Sequence, residues 1–268
     1  MSSQSPPAQG ELCLVYLAWT PYGVECAQSF LASYREHPPG TDHRLVLALA
    51  GPAGDRGPWH ETFAQVEHEP IELGLGMDLD HYRTVAERRP AARYCFLNTV
   101  TTALAKDWLR YLERALLEPG VGMVGATGSY ESPYSVRPGP LRRLRPGYEP
   151  YPNPHLRTNG FALERELLLA LAWPTGLNKL QAVGLEAGSN GLTRQVAARG
   201  LDTAIVGRDG VAYPPERWRQ SATFRGGGQR NLLLADNRTR HFQEAGAVTR
   251  NALSWLAWRR LAGARSAA

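Results

Sequence analysis

Four continuous apolar runs, Leu12–Trp19, Arg44–Ala50, Tyr94–Leu97 and Val121–Ala126, alternate with stretches of helical spacing. This rhythm restricts the fold more than any other feature. A run without polar alternation is a strand buried on both faces. Between the runs, Val24–His37 sets Cys26, Phe30, Leu31 and Tyr34 on or near one helical face. Leu79–Arg89 reads as a helix capped by Asp78, and Trp108–Leu117 as an amphipathic helix stopped by Pro119-Gly120. Ile71–Leu73 and Asp202–Gly207 are expected as further strands, whereas residues 59–69 carry no clear pattern. Buried strands alternating with helices mean an α/β fold with a mostly parallel central sheet. Ligands of such sheets bind beyond the carboxyl ends of the strands. Thr20–Gly23, Gly51–Asp55, Asn98–Thr102 and Thr127–Glu131 are therefore expected to line the site.

The candidate chemistry concentrates between Arg157 and Gly207. This stretch reads as a buried segment, a helix, a loop holding Glu186, a second helix to about Arg199, then a strand. A carboxylate at a helix entrance feels the positive end of the dipole, which favours its ionised form. Facing a cleft, it takes a proton from a substrate hydroxyl. Facing water, it only steadies the first turn.

Of 268 residues, 43% are hydrophobic and 21% charged, ordinary values for a globular chain with a full core. The net charge is +5, and Lys106 and Lys179 are the only lysines. So arginine-rich a chain suits phosphate- or carboxylate-bearing ligands, or reflects codon bias alone. The arginines are scattered apart from Arg142-Arg143-Leu144-Arg145, with no nucleic-acid motif beside them, so no nucleic-acid partner is expected. Cys13, Cys26 and Cys95 lack metal-ligand spacing and read as free thiols of a reducing compartment. The amino terminus has neither the basic start nor the apolar core of a signal peptide, and no stretch matches a membrane span. A cytoplasmic protein is expected. Residues 1–10 read as a disordered tail, 11–207 as the catalytic domain, and 208–268 as an extension folded back over it.

The order of these pieces resembles glycosyltransferases of the GT-A fold, in particular the large family-2-like group, over roughly residues 12–207. Trp19-Thr20-Pro21-Tyr22-Gly23 stands where the family has a strand and a Pro-Tyr-Asn-type turn. Tyr94-Cys95-Phe96-Leu97-Asn98-Thr99-Val100-Thr101, followed by Trp108-Leu109, is similar to its strand, Asp-x-Asp and Trp-Leu segment. Arg157-Thr158-Asn159-Gly160, running on to Arg165-Glu166, resembles its acceptor-side segment. Glu186, followed by Leu192-Thr193-Arg194-Gln195 and Gly200, resembles its Glu-Asp helix. The segment from Trp218 to Thr239 resembles, more weakly, a divergent bacterial subgroup. Two departures stand out. The aspartate expected after the second strand falls in Ala50-Gly51-Pro52-Ala53-Gly54, with Asp55 the nearest carboxylate. The Asp-x-Asp is replaced by Asn98-Thr99-Val100, and these are poor ligands for Mg or Mn.

The resemblance implies a sugar transferred from a nucleotide-sugar donor to a saccharide or lipid-linked acceptor, by an inverting displacement with Glu186 as base. It implies donor contacts from Tyr22, Asn98, Thr99, Thr101 and Arg194, and acceptor-side contacts from Arg157 and Asn159. A divalent cation is part of the family pattern, with Asp78 and Asp80 as substitute ligands if one binds here. Each residue also has a plain structural reading. The Asn98–Thr101 segment can be a polar turn, Arg157 and Arg194 surface arginines, and His155 a loop histidine. Trp218, Phe224 and Gln229 form either a lid over the donor or part of the packing, and Asp236 and Asn237 are helix caps first. The carboxy-terminal helix (Ala247–Ala264), rich in Trp, Leu and Arg, either docks on the domain, forms a dimer contact, or lies on an anionic membrane at the inner face. A catalytically silent domain of the same fold, binding carbohydrate or a partner protein, is the alternative function. A Rossmann oxidoreductase or methyltransferase is disfavoured, because Trp19–Gly23 is no G-x-G-x-x-G.

Overall fold

A computed structural model describes residues 11–132 and 147–259. The tail expected over residues 1–10 and the Arg142–Arg145 cluster lie outside the described residues. The chain opens with β1 (Leu12–Trp19), α1 (Glu25–Glu36), β2 (Arg44–Ala50), α2 (Gly57–Phe63), β3 (Glu69–Glu72), α3 (Asp78–Arg88) and β4 (Arg93–Leu97). It continues through β5 (Thr102–Ala103), α4 (Trp108–Leu116), β6 (Val121–Gly125), and the short pair β7 (Gly128–Ser129) and β8 (His155–Leu156). Then come β9 (Gly160–Glu164), α5 (Arg165–Ala170), α6 (Lys179–Ala187), α7 (Leu192–Ala197), β10 (Asp202–Val206) and β11 (Ala212–Tyr213). The last elements are β12 (Leu234–Ala235), α8 (Asn237–Glu244) and α9 (Ala247–Trp258).

Among the described residues the main sheet has eight strands in the order β11-β10-β6-β9-β4-β1-β2-β3. Six share one direction, while β9 and the edge strand β11 run against them. Because both faces are covered, every second residue of β1 joins a different core. Cys13, Val15 and Leu17 face α3, α6 and α7; Leu14, Tyr16 and Ala18 face α1, α2 and α4. That is why the run carries no polar alternation. Each fully buried Leu or Phe contributes about 1.5–3 kcal/mol.

The helix missed over residues 59–69 is α2. Seven residues are too few for a visible period, and Trp59 and Phe63 hold it by packing near the Tyr16 ring. The carboxy-terminal portion contributes to both cores. Leu233 and Leu234 enter one, with β12 pairing antiparallel to β5. Trp218, Phe224 and Trp258 enter the other. Trp218, Phe224 and Gln229 are fully enclosed, so the structure places them in the packing and not in a lid. In α9, Ser254, Ala257 and Trp258 face inward while Val248 and Trp255 face solvent, and the Trp258 indole donates to the Phe224 carbonyl. No helix among the described residues is long and apolar enough to cross a membrane.

Candidate active site

The antiparallel course of β9 builds the site. Its first residue, Gly160, lies opposite Leu97, the last residue of β4. The segment Arg157-Thr158-Asn159 is thereby delivered to the carboxyl ends of β4 and β6, where the Asn98 amide donates to the Asn159 carbonyl (3.3 Å). A side chain at position 160 would place its Cβ 2.8 Å from Leu234, so glycine allows β12 to close over this point.

A cleft of about 220 Å³ opens there. Three helices meet it with their first turns: α3 through Met77, Asp78 and Leu79, α6 through Lys179, and α8 through Asn237 and Arg238, with the α8 cap Asp236 beside them. Asn98 and Arg157–Asn159 line the sheet side. Lys179, Ala182, Val183 and Glu186 recur at the spacing of one helical face, so α6 lays a stripe along the cleft from its first turn to its last.

Glu186 therefore sits in the last turn of α6, not in a loop ahead of the next helix. Asn178 caps α6 by accepting from the Gln181 amide, and the helix runs on to Ala187 with Leu185 buried. The expected dipole argument reverses, because the carboxyl end of a helix disfavours a negative charge. Burial also pushes the Glu186 carboxyl upward. Yet the Arg157 guanidinium, the His155 ring and two hydrogen bonds from Thr158 outweigh burial and hold it below the usual carboxylate value. The Thr158 amide and hydroxyl both donate to Glu186 Oε2, at 2.9 and 2.5 Å. Oε1 is left for another donor.

Asp78 is not the cap of α3. Met77 occupies that position and its amide donates to Asp80 (3.1 Å), which also accepts from the Leu177 amide; Asp80 is a structural carboxylate. Asp78 instead lines the cleft, where burial, with help from the Glu186 charge, raises its pKa to about 6. Two carboxylates of the same cleft are thus pushed in opposite directions.

Arg157 is buried, pairs with Asp236 at 2.8 Å, and lies over the Phe224 ring at 4.4 Å. Asp236 caps α8 as expected, accepting from the Thr239 amide at 2.8 Å, and also anchors Arg157 across 79 residues of sequence. Asn159 is only 4% exposed. Its Oδ1 accepts from the Thr127 hydroxyl, while its Nδ2 has no partner among the described residues although the residue lines the cleft.

Of the residues expected to contact donor or acceptor, the cleft brings together Asn98, Arg157, Asn159 and Glu186. Four others lie elsewhere. Tyr22 is exposed outside the cleft lining. Thr99 turns inward, its hydroxyl accepting from the Trp19 amide and its carbonyl from the Tyr16 hydroxyl. The Thr101 hydroxyl lies between Asn98 Oδ1 and the Asn159 carbonyl. Arg194 donates to Asn153 and braces the segment ahead of β8. His155 is buried on β8. Thr158, Lys179 and Arg238 were missed: the α6 stripe was readable from its period, but nothing in the sequence linked α8 to it.

The residues at the Asp-x-Asp position do not fit a divalent ion. Thr99 is committed inward, and no group of three or more His, Cys, Asp or Glu among the described residues is placed to hold a metal.

No protein-family model matches this chain, and no curated protein matches it by sequence. Among solved structures it is similar to a mannosyltransferase from Pyrobaculum calidifontis in complex with GDP-Man and Mn2+. The TM-score is 0.50 at 17% identity, over 83% of this chain and 62% of that one. The fold is of the GT-A type. The chain thus spans 62% of the mannosyltransferase's length. A CMP:2-keto-3-deoxy-manno-octonic acid synthetase complexed with CTP aligns at TM-score 0.44 and 12% identity, over 72% of this chain and 88% of that one. Mouse xyloside xylosyltransferase 1 aligns at 0.43 and 12%, over 73% and 84%.

Proposed function

We propose that the cleft is the active site of a nucleotide-sugar-dependent glycosyltransferase acting by a single inverting displacement. One observation carries the reading: an ionised carboxylate, Glu186, held at one oxygen by Thr158 and open at the other, faces a cleft at the carboxyl end of a GT-A sheet. The acceptor hydroxyl donates to Glu186 Oε1. As its oxygen attacks the anomeric carbon, its proton passes to Glu186, and the bond from that carbon to the donor phosphate breaks with its electron pair leaving on phosphate. Arg157 and Asn159 lie in the cleft between the elements that would hold donor and acceptor. The acceptor class is a saccharide or a lipid-linked sugar. Fold-level analogy supports the donor class, since the mannosyltransferase is recorded with GDP-Man.

A catalytically silent domain that binds carbohydrate or a partner protein is the second reading, favoured by the inward-turned Thr99. A thermal-shift panel of UDP-, GDP-, dTDP- and CMP-sugars tests the first. One nucleotide class should raise Tm, and at about 100 times Kd the stabilisation is about 2.7 kcal/mol. No shift from any nucleotide sugar, with a shift from free oligosaccharides, would favour the silent domain.

A further inference from the structure

We propose that the cleft holds the donor's diphosphate without a divalent ion, using Arg238, Lys179, the first amides of α8 and the Asn159 side chain. The identity of the ligand rests on the nucleotide-sugar reading; the anion site itself rests on four features of the cleft. Arg238 and Lys179 reach it from opposite helices, both exposed, and neither is in an ion pair among the described residues. The cations near them are already committed: Arg157 to Asp236, Arg225 to Glu131, and Arg240 to the Val100 carbonyl.

The second feature is the α8 terminus. Asp236 accepts from the Thr239 amide, and the Thr239 hydroxyl accepts from the Asp236 amide. The amides of Asn237 and Arg238, at the positive end of the helix, have no intrahelical partner. Such a terminus binds phosphate oxygens.

Third, Asn159 lines the same cleft, is more than nine-tenths buried, and has an amide Nδ2 without a partner among the described residues. Its Oδ1 is fixed by Thr127, so Nδ2 is the group left to donate. A buried donor without an acceptor is costly, and a ligand oxygen would satisfy it.

Fourth, Asp78 and Glu186 line the cleft, but no group of three or more His, Cys, Asp or Glu among the described residues is placed to hold a bridging ion. Two nearby carboxylates are engaged otherwise. Asp80 accepts from the Met77 and Leu177 amides, and Asp236 is paired with Arg157. A guanidinium and an ammonium supply instead the charge that neutralises a leaving diphosphate, the guanidinium by a two-pronged contact.

The test is isothermal calorimetry on the full chain with sodium pyrophosphate, UDP, GDP and dTDP, each in EDTA and then in Mn2+ or Mg2+. Pyrophosphate and one nucleoside diphosphate should bind in EDTA, with Kd changed less than about threefold by the ion. Arg238→Ala and Lys179→Ala, both at exposed positions, should each weaken binding about tenfold. Arg250→Ala, an exposed arginine of α9, should leave it unchanged. Binding that appears only with the ion would overturn the proposal and leave the nucleotide-sugar reading standing. Pyrophosphate binding that no nucleoside improves would keep the anion site and remove that reading. No binding in either condition would overturn both, and wild-type affinity in Arg238→Ala would remove the assigned contacts.

Discussion

Replacing Arg157 with methionine should destabilise the protein by about 3–5 kcal/mol, because it strands a buried carboxylate. The Arg157 and Asp236 side chains are 9% and 1% exposed and meet at 2.8 Å. Without the guanidinium, Asp236 retains its bonds to Thr239 but faces burial uncompensated. Asparagine at 236 keeps an oxygen for the Thr239 amide and carries no charge, so Arg157→Met/Asp236→Asn should recover the part of the loss due to Asp236. The part due to Glu186, whose charge Arg157 also compensates, should remain. Urea unfolding at pH 7.5 on the wild type, both single variants and the double variant gives a cycle with an expected coupling of about 2 kcal/mol or more. The pH dependence has a definite sign. Burial raises the Asp236 carboxyl, but Arg157 and Thr239 together hold it below its ordinary 3.8. Its contribution to stability is present above 3.8 and is lost as pH falls through the lower folded value. In Arg157→Met burial prevails, so the penalty should grow as pH rises above about 4. A single-variant cost below about 1 kcal/mol, as for an exposed pair, would refute this reasoning. So would a double variant no more stable than Arg157→Met.

Three further outcomes follow from the same geometry. Asp78, half-buried and raised from 3.8 to about 6, opposes folding once pH exceeds its unfolded value. Asp78→Asn should therefore stabilise the protein at pH 7.5 by about 1–3 kcal/mol, with a gain that shrinks toward pH 4, as urea melts across that range would record. Thr158→Val removes the hydroxyl bond to Glu186 but keeps the amide bond. The Glu186 carboxyl should titrate at higher pH, seen by NMR against Glu186→Gln, and stability should fall by about 1.5–3 kcal/mol. Gly160→Ala would set its new Cβ 2.8 Å from the Leu234 side chain, forcing that side chain to shift, and should cost about 1–3 kcal/mol by thermal unfolding.

The sheet was legible because strands buried on both faces have no polar positions, so Leu12–Trp19 and Arg44–Ala50 announced themselves. Within the site, Asn98, Arg157, Asn159 and Glu186 were named from segment order, and they do meet. Their supports were not legible. The cap at Asn178 carries α6 to Ala187, so Glu186 belongs to the last turn of that helix, and its ionised form depends on Arg157 and Thr158 instead of a dipole. Thr99 and Thr101 looked like site residues by position, but short hydroxyl side chains beside a buried strand end were captured by the Trp19 amide and the Asn159 carbonyl. The α8 contribution arises from tertiary closure over Gly160, which no local pattern encodes.

The most direct test of the account is Glu186→Gln, assayed once a donor has been found. The amide keeps an oxygen for Thr158 but cannot take a proton from the acceptor. Donor affinity should stay within about threefold of wild type, while transfer falls by about 10²–10⁴. Retained turnover, or loss of donor binding with the fold intact, would contradict the assignment of Glu186 as the base.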